Sequence, residues 1–343
     1  MTALLPASTA ATPVLEIDGL QLVFPVYDGE VKALNQVSLR VNAGEIVGVV
    51  GESGSGKSVT AMMAMRLLPP ESFSIKGGSL HLLGSDVLQA SEKQMRQLRG
   101  ARVAMIFQEP MNALNPTRKI GRQMCEIICL HQQLSRQLAH NKAVALLQEM
   151  QIADAEQVMA RYPFELSGGM RQRVLIAMAF SCEPELIIAD EPTTALDVTV
   201  QRQVLRLLQR KARNSGTAVL FITHDMAVVA QLCDRVYVMY AGHVIESGGT
   251  EQVIGHPAHP YSIGLLQAAP ENAEPRTLLK AIAGTVPSLT RLPQGCAFRE
   301  RCSHADGCCM QTPPLTPLSA GSSQQVACWY PQPGNPPSKQ EQA

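Results

Sequence analysis

Gly51-Glu52-Ser53-Gly54-Ser55-Gly56-Lys57-Ser58 is the stretch that decides the fold of this chain. It follows a β-branched apolar run at residues 46–50 and precedes a helical pattern at residues 60–68. In this context G-x-x-x-x-G-K-[ST] forms a phosphate-binding loop, because its glycines let successive backbone N–H groups point at phosphate oxygens. The helix adds the positive end of its dipole. The sequence therefore predicts a nucleoside triphosphate site, with Lys57 on the β- and γ-phosphates and Ser58 on Mg²⁺.

The composition limits the classes of function. The 343 residues include 29 Lys and Arg and 29 Asp and Glu, so the formal net charge is zero and gives no general electrostatic case for binding nucleic acid. No stretch approaches the roughly 18 apolar residues of a membrane-spanning helix. Residues 1–13 lack a basic start and an apolar core, so we expect a loose tail and not a signal peptide. A cytosolic chain would keep its nine cysteines reduced.

The order of the periodic segments predicts an α/β fold. Residues 14–26 and 37–41 alternate apolar and polar side chains, which predicts antiparallel strands ahead of the phosphate loop. Gly77-Gly78 predicts a turn before a short strand at 79–83. Helices and strands then alternate from 170 to 240, which predicts a mostly parallel sheet. We expect a disordered tail at 1–13, a nucleotide-binding domain at 14–255, an accessory region at 256–330 and a disordered tail at 331–343.

Two carboxylates end an apolar strand at residues 186–189. The ends of buried parallel strands meet at the sheet edge that also carries the phosphate loop. Asp190 suits the Mg²⁺ shell, and Glu191 is placed to accept a proton from, or polarise, the water that attacks the γ-phosphate. A strand followed by Asp-Glu also fits a surface turn, but the phosphate loop upstream favours the catalytic interpretation.

A second anion site is predicted at Ser167-Gly168-Gly169, which opens an apolar-periodic helix. Free N–H groups, a hydroxyl and the positive end of the helix dipole would all face the anion. Ser167 could equally be a plain helix N-cap.

These motifs together resemble the ATP-binding-cassette ATPases over residues 14–255. Leu166 to Met170 looks like the LSGGQ signature of that family, with Met170 in the place of Gln. The family order is complete: phosphate loop, Gln108 after a strand, signature, Asp190-Glu191, residues 195–197, and His224 after a strand. The resemblance implies a P-loop NTPase fold, with a RecA-like core, an antiparallel β subdomain, a helical subdomain near residues 118–182 and a C-terminal cysteine-rich extension.

The resemblance also carries roles onto residues of this chain. Gln108 would complete the Mg²⁺ shell with Ser58 and Asp190 and orient water, while its loop would couple to a membrane partner. His224 would act with Glu191 and contact the γ-phosphate, although a structural histidine at a strand end would give the same pattern. The residues expected to bind ATP are Tyr27, Gly51, Ser53, Gly54, Ser55, Gly56, Lys57, Ser58 and Val59.

A second ATPase subunit would complete each site. Ser167, Gly168 and Gly169 would close on the ATP held by that facing subunit, and Asp197 would order the dimer interface. Met170 leaves the Ser-Gly-Gly contact intact and puts only a peripheral polar contact in doubt. Tyr27 would stack on adenine, with Phe24 as the rival because the insertion around Asp28 blurs the register.

Further residues resemble one subfamily, the oligopeptide/dipeptide and nickel importer ATPases. They are FQEPMNALNP at 107–116, HPAHPY at 256–261 and the cysteine-rich tail. This resemblance implies a paralogous second ATPase subunit, two transmembrane permease subunits, a periplasmic solute-binding protein acting indirectly, and a place on the cytoplasmic face of the inner membrane. A soluble cassette ATPase of DNA repair or translation, or an iron–sulfur assembly ATPase, would share the nucleotide motifs but not these marks.

Five cysteines lie between residues 296 and 328, in a Gly- and Pro-rich segment. In the resembling peptide importers this pattern binds a [4Fe–4S] cluster, and Cys296, Cys302, Cys309 and Cys328 match its spacing. Cys309 is preferred over Cys308. Thiolates also suit zinc, although these intervals are longer than those of zinc ribbons. Reduced unliganded thiols and disulfides remain open alternatives.

Overall fold

The computed structural model describes residues 13–27, 29–109, 113–194, 196–268 and 281–332. Residues 1–12 and 333–343, which make up most of the tails predicted at 1–13 and 331–343, lie outside this part of the chain, as do residues 28, 110–112, 195 and 269–280. The strands are β1 (Pro13–Val26), β2 (Gly29–Asn42), β3 (Ile46–Val50), β4 (Ser74–Leu82), β5 (Ser85–Asp86), β6 (Val103–Ile106), β7 (Leu186–Asp190), β8 (Ala218–Thr223), β9 (Arg235–Tyr240), β10 (His243–Gly249), β11 (Thr316–Pro317) and β12 (Gln325–Val326).

Ten α-helices lie in the described residues. They are α1 (Lys57–Ala64), α2 (Glu92–Leu98), α3 (Ile120–Gln132), α4 (Arg136–Glu149), α5 (Ala155–Ala160), α6 (Gly168–Ala179), α7 (Val198–Ser215), α8 (Met226–Leu232), α9 (Thr250–Gly255) and α10 (Pro260–Ala268). Helices α3 to α6 pack on one another through apolar faces and form the predicted helical subdomain, with Met124, Ile128 and Leu147 fully buried.

The core sheet has the order β11-β12-β10-β9-β3-β8-β7-β6. Its pairs β3–β8, β3–β9, β7–β8 and β6–β7 are parallel, as the alternation of strands and helices predicted. β3, β7 and β8 are buried along their lengths, which explains their continuous apolar runs. Because their carboxyl ends lie at one edge, the phosphate loop, Asp190 and His224 all start there.

The second sheet is antiparallel, in the order β2-β1-β4-β5, as the alternating segments predicted. The prediction of a turn at Gly77-Gly78 was wrong, because both glycines lie inside β4. A Cβ on Gly78 would lie 2.4 Å from the Gly19 carbonyl oxygen, and Gly78 has φ +87°. The two glycines therefore let the backbones of β1 and β4 approach closely where the pairing of these strands is irregular, between Asp18 and Gln21.

Residues 281–332, called here the C-terminal region, are joined to the core sheet. β12 pairs with β10, so that Val326 lies opposite Glu246. The fully buried Glu246 carboxylate accepts hydrogen bonds from the backbone N–H groups of Ala258 and His259 and from Gln324 Nε2, at 2.7–3.0 Å. Burial raises the pKa of Glu246 and these hydrogen bonds oppose that shift. The C-terminal region is thus held by backbone pairing and by a buried polar network.

None of the helices in the described ranges is long and apolar enough to cross a membrane. The longest, α7, has 18 residues and buries only one side of its surface. Its buried side packs against α6 of the helical subdomain.

His259 makes the stability of the fold depend on pH. Complete burial lowers its pKa from 6.5 to about 3, and Nδ1 accepts the Tyr261 N–H. The unfolded chain therefore takes up a proton below pH 6.5 that the folded chain does not, so stability falls as pH drops from about 6.5 toward 3. We expect about 2 kcal/mol of stability to be lost between pH 7 and pH 5 through this residue.

Thermal unfolding at pH 7 and pH 5 checks this expectation. His259→Asn keeps an acceptor for the Tyr261 N–H but does not titrate, so its melting temperature should fall less on acidification than that of the wild type. The exposed His256, changed to Gln, should leave the wild-type pH dependence intact. Equal pH dependence in the wild type and His259→Asn would contradict the assignment.

Candidate nucleotide-binding site

The phosphate loop connects β3 to α1 and depends on two of its glycines. A Cβ on Gly51 would lie 2.1 Å from the carbonyl oxygen of Met239 on the neighbouring strand β9. Gly56 caps α1 with φ +101°, and a Cβ there would lie 2.8 Å from the Ala33 carbonyl oxygen. A side chain at Gly51 would push the loop away from the core sheet, and one at Gly56 would push it away from β2 of the antiparallel sheet, so both positions require glycine.

Lys57 is buried inside this loop, with 5% of its surface exposed. Its Nζ donates to the carbonyl oxygens of Gly51 and Glu52, at 2.8 and 2.9 Å. Burial lowers the pKa of Lys57, while the carboxylates of Glu191, Asp190 and Glu52 oppose that shift. A phosphate in the loop would give this buried ammonium a strong anionic partner.

Two of the three predicted Mg²⁺ ligands, Ser58 and Asp190, meet across the sheet edge. Ser58 Oγ donates to Asp190 Oδ1 at 3.1 Å, although the residues are 132 positions apart. Burial raises the pKa of Asp190, and the Ser58 hydrogen bond and Lys57 oppose this. A hydroxyl and a carboxylate side by side are the oxygen donors that Mg²⁺ prefers, so these residues fit the ion.

Three side chains converge on one oxygen of Glu191. Oε2 accepts hydrogen bonds from Gln108 Nε2 at 3.3 Å and from Thr194 Oγ1 at 2.9 Å, and it lies 3.3 Å from His224 Nδ1. The structure thus brings together the three residues predicted to be catalytic. It adds Thr194, which the sequence analysis missed; its position three residues after Glu191, in the run D-E-P-T-T, was the available signal.

The backbone of Glu191 is strained. Its φ of +44° is unusual for a residue with a side chain, and its N–H donates to the Ile222 carbonyl oxygen at 2.9 Å. Strain of this kind persists only where the surroundings fix it, and it is concentrated at functional sites. The β8 backbone therefore fixes the direction in which the carboxylate leaves the sheet.

The signature motif forms the start of α6. The Ser167 side chain accepts the Met170 N–H at 3.3 Å, so it acts as the N-cap that the sequence left open. A Cβ on Gly169 would lie 2.6 Å from Val200 Cγ1, and close packing against α7 explains this glycine. Ser167 and Gly168 are exposed and accessible to another molecule. Asp197, also exposed, caps α7 by accepting the N–H groups of Thr199 and Val200.

The two aromatic candidates for stacking on adenine differ in exposure. Tyr27 is fully exposed, whereas Phe24 packs against the apolar core of the antiparallel sheet. Tyr27 is therefore the ring that is accessible for stacking. Val59 lies half-buried in the first turn of α1, next to Ser58.

The four cysteines selected from the spacing line one small cavity, together with His259 and Phe298. They are Cys296, Cys302, Cys309 and Cys328. Cys308 is exposed and does not line it. All nine cysteines are free, and burial raises the pKa of Cys328 to about 11. No group of three or more His, Cys, Asp or Glu side chains in the described residues is arranged to hold a metal ion as it stands.

The fold and this site define a P-loop nucleoside triphosphatase, and comparison with known proteins places it further. The family model "ABC transporter" matches residues 34–194, and "Oligopeptide/dipeptide transporter, C-terminal region" matches residues 245–309. A third model, "AAA domain, putative AbiEii toxin, Type IV TA system", matches residues 159–230, which contain the signature and the Asp190–Glu191 pair.

The relatives agree with these matches. The chain is 69% identical over 320 residues to the probable D,D-dipeptide transport ATP-binding protein of Escherichia coli, covering 93% of this chain and 97% of the relative. It is 46% identical over 332 residues to the oligopeptide transport ATP-binding protein of Escherichia coli, covering 96% and 97%. The chain therefore belongs to the ABC transporter family and is an ATPase, which confirms the family and the activity predicted from the sequence.

Solved structures show the same fold. A dimeric ATP-binding cassette, MJ0796, in a post-hydrolysis state with ADP and Pi, superposes with a TM-score of 0.62 at 23% identity, over 69% of this chain and 98% of that one. The cassette cbiO1 of Clostridium perfringens, part of the transporter complex cbiONQ, gives 0.59 at 25% identity, over 70% and 90%. These matches confirm the ABC cassette fold.

The Thr194 hydroxyl should matter for turnover. Thr194→Val removes a hydrogen bond to the Glu191 carboxylate, so we expect kcat for ATP hydrolysis to fall on the order of tenfold while KM changes little. Thr194→Ser retains the hydroxyl and should keep most of the activity. Steady-state ATPase assays of the three proteins check this, and equal kcat values for Val and wild type would remove Thr194 from the site.

Proposed function

We propose that this chain is the ATP-hydrolysing subunit of an importer that takes up peptides across the inner membrane of a bacterium. The single observation that carries the proposal is that residues 34–194 match the ABC transporter model and residues 245–309 match the oligopeptide/dipeptide transporter model. The names of the relatives support peptides over nickel as the solute, and the 69% identical relative supports D,D-dipeptides as the first peptides to test.

Hydrolysis would proceed at the edge of the core sheet. ATP would lie with its phosphates in the loop 51–58, where Lys57 and backbone N–H groups bind them and Tyr27 stacks on adenine. Mg²⁺, when bound, would neutralise charge on the β- and γ-phosphates, held by Ser58, Asp190 and Gln108. Glu191 would accept the proton of the attacking water, and His224 would contact the γ-phosphate.

The contacts of the Glu191 carboxylate suit it to accept a proton from the attacking water. Its Oε2 atom contacts Gln108, Thr194 and His224. None of these three contacts involves Oε1, so Oε1 can face the water. The strained backbone at Glu191 fixes the direction of the carboxylate. These contacts would orient the carboxylate toward the attacking water.

Each site would be completed by another chain. Exposed Ser167 and Gly168, with Gly169 behind them, would close on ATP held by a second ATPase subunit, for which we propose a paralogue. Asp197 lies close by at the start of α7 and would order that interface. Two transmembrane permease subunits would hold the pair at the cytoplasmic face of the membrane, and a periplasmic binding protein would deliver the solute to them.

Uptake of a labelled dipeptide tests the proposal. Cells that lack this gene but keep its permease subunits should regain uptake of labelled D-alanyl-D-alanine when the wild-type chain is supplied. Glu191→Gln removes the proton acceptor, so uptake should be lost and ATP hydrolysis should fall at least about a hundredfold, while the purified protein still binds ATP.

The controls separate the parts of this proposal. Glu183→Gln changes an exposed carboxylate away from the site and should leave both uptake and hydrolysis unchanged. Unchanged turnover in Glu191→Gln would move the catalytic role to another residue. Normal ATPase activity together with absence of dipeptide uptake would contradict the assigned solute class.

We further propose that the C-terminal region holds a [4Fe–4S] cluster on Cys296, Cys302, Cys309 and Cys328. The fit is supported by the convergence of these four thiols on one cavity and by the exposure of Cys308 outside it. Soft thiolate ligands suit iron–sulfur clusters. A bound cluster would cross-link a segment whose described residues form one short strand pair of their own, β11–β12, beside the pairing of β12 with β10 of the core sheet.

Anaerobic purification tests the cluster. We expect brown protein with about four irons per chain, because four thiolates bind one [4Fe–4S] cluster. Cys309→Ser should lose iron and colour, whereas Cys308→Ser should keep both. A colourless, iron-free anaerobic preparation, or zinc in place of iron, would overturn the assignment.

A further inference from the structure

The C-terminal region reaches into the phosphate loop through Arg301. Arg301 Nη1 donates to Glu52 Oε2 at 2.7 Å, and Nη2 donates to Oε1 at 3.2 Å. The two residues are 249 positions apart, and Glu52 is the second residue of the loop. The Arg301 side chain is 4% exposed, so this is a two-pronged and largely buried ion pair.

Arg301 is held in position by several other groups. Its Nε donates to the Ala283 carbonyl oxygen at 2.9 Å, and Nη2 also donates to that of Ile282 at 3.3 Å. Its guanidinium lies 5.7 Å from the centre of the Tyr240 ring and 5.8 Å from that of Phe298. A planar guanidinium fixed by such contacts is already oriented for a bidentate carboxylate.

The backbone of Glu52 is held from the same side of the molecule. Its N–H donates to the hydroxyl of Tyr261 at 2.8 Å. Tyr261 is fully buried and packs on Tyr240 and Phe298, with ring centres 4.7 and 5.5 Å away. Residues from α10 and the C-terminal region therefore hold both the main chain and the side chain of Glu52.

The charge of Glu52 makes this contact matter for binding ATP. Burial lowers the pKa of Lys57, and the Glu52 carboxylate, after those of Glu191 and Asp190, is near enough to oppose that shift. An unpaired carboxylate at this point would repel the phosphates and compete with them for Lys57. The Arg301 guanidinium supplies the compensating positive charge. The Glu52 side chain is 30% exposed, so water alone would screen its carboxylate only in part.

We infer that Arg301 is a positioning residue of the ATP site, which neutralises Glu52 and draws its side chain away from the phosphates. The C-terminal region is then a working part of the nucleotide site as well as a marker of the subfamily. This inference rests on the proposed placement of ATP on residues 51–59.

A double-mutant cycle on the full chain tests it, with ATP affinity measured by titration calorimetry in the presence of Mg²⁺. Arg301→Met leaves Glu52 charged and unpaired, so affinity should fall on the order of tenfold. Glu52→Gln removes the repelling charge and should bind ATP as well as the wild type or better. The double variant should return to within about threefold of the wild type.

A purely structural role predicts a different result, because removing either partner would then weaken binding and the second change would not restore it. Unchanged affinity in Arg301→Met, or a double variant as weak as Arg301→Met, overturns the inference. If Arg301→Met is recovered only as aggregate, Glu52→Gln alone decides, and weaker binding than the wild type overturns the inference.

Two further variants complete the design. Arg291→Met removes an exposed arginine of the same region and should bind ATP like the wild type, which controls for the loss of one positive charge. Lys57→Ala tests the placement of ATP itself. If Lys57→Ala binds ATP normally, the proposed site fails; if it does not bind and Arg301→Met binds normally, only the role of Arg301 fails.

Discussion

The register of three parallel strands is the constraint on which the site depends. β3 pairs with β8 so that Val50 lies opposite Thr223, and β7 pairs with β8 so that Asp190 lies opposite Ile222. The strands therefore end at the same level, and the phosphate loop, the carboxylate pair and His224 begin there. A slip of one residue would turn every side chain to the other face of the sheet. The buried apolar strands that fix the register thus also fix the geometry of the candidate site.

Most of the fold and the main site residues could be predicted from the sequence, since each motif carries its own local context. A loop after a strand predicts where Lys57 lies, and an apolar strand before Asp190 predicts that the carboxylate reaches the sheet edge. The relative order of the motifs then identifies the cassette. Individual side-chain contacts are harder to predict: Thr194 lies only three residues after Glu191, but only the folded chain shows its hydroxyl on that carboxylate.

Contacts that only the folded chain shows also explain why the turn prediction at Gly77-Gly78 was wrong and why the ion pair of the C-terminal region was not predicted. Gly77-Gly78 has the composition of a turn, and only the approach of Gly19 from β1 explains why it lies inside a strand. The cysteines of the C-terminal region gave a metal-binding prediction, while the arginine beside Cys302 gave none. Its partner lies in the phosphate loop, and no periodicity or spacing connects residues so far apart.

The length of the chain between Glu52 and Arg301 has a consequence for biosynthesis. The phosphate loop leaves the ribosome early, but its ion-pair partner follows 249 residues later. At about 5–20 residues per second, the nascent loop would wait roughly 12–50 s for it. During that interval the emerging cassette would carry the Glu52 carboxylate of the phosphate loop without its partner. A chain interrupted before Arg301 would retain the phosphate loop, the signature and the Asp190–Glu191 pair, but it would lack the ion pair that holds Glu52.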